Sequence, residues 1–93
     1  MKNEIKIRKK FIGFRNDAVD FKRKILRNQW KSVDLNFSEV VFITGAFADE
    51  LLKIKGELST GGIRISFSHL GPDVKKMISA VEKRKLRWTK LKN

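Results

Sequence analysis

The stretch Val33-Asp34-Leu35-Asn36-Phe37-Ser38-Glu39-Val40-Val41-Phe42-Ile43-Thr44-Gly45-Ala46-Phe47-Ala48-Asp49-Glu50-Leu51-Leu52-Lys53-Ile54-Lys55 decides the fold. Its first part alternates. Val33, Leu35 and Phe37 point one way, and Asp34 and Asn36 point the other or sit near the strand end. Ser38-Glu39 is a short break, and Val40 to Ile43 is apolar again. Beyond Thr44-Gly45 the period changes: Phe47, Leu51 and Ile54 share one helical stripe, with Ala48 and Leu52 beside it. A strand therefore feeds a helix across a turn of small residues. Thr44 can supply the capping oxygen for the helix's first amides. Asp49 and Glu50 fall in or near the first turn, where acids complement the helix dipole. Gly56 is expected to end this helix, giving a helix over 46–56 and a flexible connection over 56–62.

Upstream, Ile5 and Ile7 alternate and predict a strand near 4–8, with a second extended piece near 11–14 bent at Gly13. The Ile and Phe content of this region implies partial packing. Asn16 is a good N-cap, and Asp17 and Asp20 follow it. Ala18, Phe21 and Ile25 then share a face, predicting an amphipathic helix over about 17–29 closed by Trp30. Downstream, Ile63, Ile65 and Phe67 alternate with Arg64, Ser66 and Ser68, the pattern of a half-buried strand. Pro72 or Asp73 starts a last helix whose core stripe is Val74, Met77, Ile78 and Val81. After Glu82 this pattern stops, and Leu86, Trp88 and Leu91 do not continue it. They fit a rotated helix, a short strand or an exposed arm, and they are candidates for a homodimer contact. Strands alternating with helices predict an α/β fold: a single small domain over 1–93 with a mixed sheet of about four strands and helices packed on it.

With 93 residues, 41% apolar and 34% charged, the chain suits one globular domain. Such a domain buries roughly 60–65% of its unfolded surface. The longest apolar run falls far short of the ~18 residues of a membrane helix. Met1 to Lys6 has no apolar segment after its charges, so a cytoplasmic setting is expected. Cysteine is absent and there is one histidine, which excludes disulfides, thiolate chemistry and a structural zinc site. No cofactor is implied. Gly61-Gly62 lacks the Lys-Ser or Lys-Thr of a phosphate loop. His69 has no evident partner for base catalysis, and Asp49 and Glu50 need nothing beyond their place on the helix to be explained. No catalytic constellation is present, and the chain reads as non-enzymatic.

The net charge of +12 is unusual for this size, beyond the roughly 2–8 typical of small domains, and it is unevenly spread. Residues 1–31 hold eleven Lys or Arg against three acids, residues 32–72 three against five, and residues 73–93 eight against two. The basic regions are the N-terminal strand region (1–15), the first helix and the tail (83–93). They favour a polyanion or an acidic protein surface. Lys22, Arg23, Arg27, Lys83, Arg84, Lys85 and Arg87 are the candidate polyanion-binding residues.

The segment Leu35 to Val40, followed by Phe42-Ile43-Thr44-Gly45-Ala46-Phe47-Ala48-Asp49-Glu50-Leu51, resembles the STAS-like family of small bacterial domains of unassigned function. More distantly it is similar to the anti-sigma-factor antagonists. Phe47-Ala48-Asp49-Glu50 is the specific motif, and the pattern of elements fits over roughly 16–84. The resemblance implies a protein-binding module whose partner is a histidine-kinase-like ATPase, with Thr44, Gly45, Ala46, Asp49 and Glu50 on the binding face. In the antagonists a phosphorylated serine starts the helix after the central strand. Here that position is Ala46, the acid two before it is Thr44, and Asn36 replaces the usual aspartate. The resemblance therefore implies a regulator or inhibitor without the phospho-serine switch. Two other readings stand beside it: a nucleic-acid-binding protein using its basic ends, and a mobile-element-encoded inhibitor docking on an acidic or nucleic-acid-binding surface.

Overall fold

The computed structural model describes residues 3–92, and the side chains of residues 3–85. Three strands run parallel: β1 (Asn3–Lys6), β3 (Ser32–Asn36) and β5 (Arg64–Ser68), with β3 in the middle. Two short strands, β2 (Phe11–Ile12) and β4 (Phe42–Ile43), form a second parallel pair. The helices are α1 (Arg15–Arg27), α2 (Gly45–Thr60) and α3 (Pro72–Lys92). The α/β class is as expected, but the single mixed sheet of about four strands is replaced by parallel sheets of three and two. The cause is local. A helix lies between successive strands of the larger sheet, which returns each strand in the same direction. The chain also turns at Phe37–Val40, where the Ser38 amide donates to Asn36 Oδ1 (2.8 Å) and the Val40 amide to the Phe37 carbonyl (2.9 Å). Strand pairing stops there and resumes as β2–β4.

The larger sheet is one-sided. Ile5, Val33, Leu35 and Ile65 are buried, and Phe67 packs against the same core. The opposite face carries Glu4, Lys6, Asp34, Asn36, Ser66 and Ser68, each beside its neighbour in register. Ser66 Oγ (2.8 Å) and Ser68 Oγ both donate to the Asp34 carboxylate, and Asn36 Nδ2 reaches Glu4 at 3.4 Å. A parallel sheet normally needs cover on both faces. Here the second face is polar instead: Asp34 is bonded by Ser66 and Ser68, Asn36 bonds Glu4, and Lys6 pairs with Glu39 beyond the sheet.

On the apolar face α2 is central: it packs against α1, α3 and β5. Its stripe Phe47, Leu51, Ile54 and Leu58 is buried, and Phe47 meets Phe21 of α1 edge-on at 6.2 Å. Val74, Ile78 and Val81 of α3 complete the core, with Met77 partly buried against it. Among the described residues no helix is long and apolar enough to cross a membrane.

Two boundaries differ from the sequence pattern. Helix α2 passes through Gly56 and ends at Thr60. Burying Leu58 on the continuing stripe outweighs the ~1 kcal/mol helix penalty of one glycine. The stop comes at Gly61-Gly62: Gly62 adopts φ +85°, and the Ile63 amide reaches back to the Leu58 carbonyl at 2.8 Å. Residues 56–60 are thus helix, not a flexible connection. Helix α1 starts at Arg15, with Phe14 at the N-cap position and no side-chain cap, so Asn16 lies inside the first turn. Backbone pairing of β2 with β4 fixes the chain just before Arg15 and sets that start.

Gly56 is exposed in mid-helix, with nothing within 4 Å of where a Cβ would stand. Gly56→Ala is therefore expected to stabilise the protein by about 0.5–1 kcal/mol, read as a raised urea midpoint.

Candidate binding face

The two short strands lead straight into helices. Ile12 and Ile43 are register partners, at 2% and 0% exposure, and face the core. Their predecessors Phe11 and Phe42 are also partners, so both project from the other side of the ribbon, at 68% and 41% exposure. Val41 precedes Phe42 and Phe14 precedes α1, and both are exposed. Four large apolar side chains therefore stand in solvent where the chain enters its first two helices.

Thr44 holds this junction together. Its hydroxyl donates to the Gly13 carbonyl (2.9 Å) and accepts from the Phe47 amide (3.2 Å), while its own amide donates to the Ile12 carbonyl (3.1 Å). One residue thus caps α2 and ties it to the turn before α1. The approach at Gly13 is close: a Cβ would lie 3.3 Å from Thr44 Cγ2. Gly45 is half-buried beside Met77, and Ala46 is exposed next to the ribbon's end.

Asp49 and Glu50 lie beyond the first turn of α2, not in it. Arg15 Nη1 bonds Asp49 Oδ2 at 3.0 Å and Glu50 Oε1 at 3.4 Å. Lys85 Nζ reaches Asp49 Oδ1 at 3.2 Å and the Asp49 carbonyl at 3.2 Å. The two acids therefore join α1, α2 and α3 by charge. The hydrogen bond from Arg15 is the main cause that holds the Asp49 carboxyl below its ordinary range, with Lys85 adding to it. The Arg15 guanidinium is raised in turn, chiefly by Asp49.

Thr44, Gly45, Ala46, Asp49 and Glu50 are thus brought together at the start of α2. The candidate cations are divided between two helices that both pack on α2. On α1, Lys22 pairs with Glu57 (3.1 Å), Arg23 approaches Asp20 (3.8 Å), and Arg27 is exposed in the last turn. On α3, Lys83 and Arg84 are exposed while Lys85 turns to Asp49. Arg87 and the Leu86, Trp88 and Leu91 contact lie in helix α3, and their side chains are outside the described residues. The sequence pattern missed Arg15 as a binding-face residue and missed the exposure of Phe11 and Phe14, which it placed in partial packing. The available signal was their interleaving with charge in Arg8-Lys9-Lys10-Phe11-Ile12-Gly13-Phe14-Arg15. No protein-family model and no curated protein matches the chain.

Thr44→Ala is expected to lower stability by about 1–2 kcal/mol through loss of the cap and the bridge, with Thr44→Ser recovering most of it, in urea titrations. The lowered Asp49 pKa gives a stabilisation that is complete above the ordinary carboxylate value of 3.8 and lost as pH falls through the lowered value. Asp49→Asn should therefore be the less stable protein near neutrality by a modest margin. That margin should close in acid unfolding below about pH 3.8.

Proposed function

We propose that this chain is a non-enzymatic protein-binding module of the STAS-like kind, working in the cytoplasm as a regulator or inhibitor. The observation that carries the reading is the exposure of Phe11, Phe14, Val41 and Phe42 on one junction. Clustered exposed apolar side chains on a small protein mark an interaction surface. The junction adjoins Thr44, Gly45 and Ala46, the positions that the family resemblance puts on the partner face. A histidine-kinase-like ATPase is the partner type which that resemblance implies. Ala46 has no hydroxyl, so binding is constitutive rather than switched by phosphate at that position.

The reading is supported further by what Asp49 and Glu50 already do. Both are engaged by Arg15, and Asp49 also by Lys85. They position α2 and leave the contact itself to the apolar ribbon.

Capture from a lysate of the native host tests this. The wild-type chain is expected to retain one dominant protein that then binds the purified chain directly. Phe11→Ser/Phe42→Ser should weaken that binding by about tenfold or more, while Lys83→Glu/Arg84→Glu should leave it within about twofold. Loss through the lysine and arginine changes alone, with nucleic acid in the eluate, would favour the polyanion reading instead.

A further inference from the structure

Resting on the reading that this junction docks a protein, we propose that the occupant is an acidic amphipathic segment, with bulky apolar side chains seated on Phe11 and Phe42 and carboxylates placed against Arg8 and Lys10. The chemistry of the rim carries this. Lys10 directly precedes Phe11 and Arg8 stands three residues before it; both are exposed and have no ion pair among the described residues. The Lys10 carbonyl receives the amides of Val41 (2.8 Å) and Phe42 (3.1 Å), so Lys10 is fixed to the apolar cluster by the backbone. An apolar centre with a cationic rim recognises the complementary pattern, apolar anchors among acids.

Two other occupants fit less well. A second copy of this chain would bring an identical cationic rim and a net charge of +12 against its like, and like charges set face to face suppress association. Single-stranded nucleic acid needs a groove of cations beside its stacking aromatics. Here Lys9 is paired with Asp17 at 3.3 Å and Arg15 with Asp49 and Glu50, which leaves Arg8 and Lys10 near the cluster without an ion pair among the described residues, fewer cations than a groove that tracks a phosphate chain requires. Val41 adds exposed aliphatic surface that can seat an apolar side chain.

The test uses the full chain and three labelled probes in fluorescence anisotropy at about 100 mM salt. One is a helical peptide with Leu and Phe on one face and Glu on the other. The second is the same peptide with Lys for Glu, and the third is an oligothymidylate. The acidic peptide should bind about tenfold tighter than the Lys peptide. Arg8→Glu/Lys10→Glu and Phe11→Ser/Phe42→Ser should each weaken it by about tenfold, with circular dichroism confirming that both variants fold. Equal binding of the two peptides, abolished by the Phe changes, overturns the acidic partner but leaves the docking reading standing. Acidic-peptide binding that ignores the Phe changes removes the docking reading itself. Oligothymidylate binding tighter than either peptide, and lost with Arg8→Glu/Lys10→Glu, overturns the proposal in favour of nucleic acid, as does no binding of the acidic peptide at all.

Discussion

The hydrogen bonds of Thr44 to Gly13 and Phe47 are the constraint on which the junction of the short ribbon with α1 and α2 depends. They lock a two-residue parallel ribbon at the point where both of its strands become helices. A ribbon so short buries only one face, and here the buried face is Ile12 and Ile43. The other face must be wet, and polar residues would serve the fold as well there. Phe11 and Phe42 therefore contribute little to the core. That asymmetry is the observation that supports the proposed binding role.

The same geometry explains the charges. Because the ribbon sets the starts of α1 and α2 side by side, Arg15 falls against Asp49 and Glu50, and α3 brings Lys85 to the same carboxylate. These are partly exposed pairs, each worth little alone. Their effect is to tie three helices together at the ribbon and to engage four ionic groups, Arg15, Asp49, Glu50 and Lys85, with one another. Among the described residues, cations without an ion pair include Arg8 and Lys10 near the aromatic residues, and Arg27, Lys83 and Arg84 on the outer helices. The excess charge is thus split between a small group near the ribbon's aromatic residues and a broad helical surface.

Much of this was legible from residue spacing. The stripes Phe47–Leu51–Ile54 and Val74–Met77–Ile78–Val81, the alternation through Val33–Phe37 and the cap at Thr44 all occur where pattern and capping chemistry place them. The errors came where tertiary packing outweighed a local signal. Leu58 carried α2 through Gly56, and pairing of β2 with β4 started α1 ahead of Asn16. The strand count failed because a turn at Phe37–Val40 splits one sheet into two, which no periodicity reveals. For the candidate site, Thr44 to Ala46 came from the resemblance and Asp49 and Glu50 from the motif, and the structure sets all five in or beside the first two turns of α2. The exposure of Phe11 and Phe14 was not, because an isolated Phe reads as core in a sequence. Only the register with Phe42 shows which side of the ribbon it occupies.

The central claim is that contact is made by the ribbon's apolar face and not by the outer helices. Amide hydrogen exchange of the full chain, with and without its captured partner, tests it most directly. The account predicts slowed exchange confined to residues 10–14 and 41–46, with residues 22–27 and 83–85 unchanged. Protection centred on 22–27 and 83–85, with the ribbon exchanging as in the free chain, would contradict it.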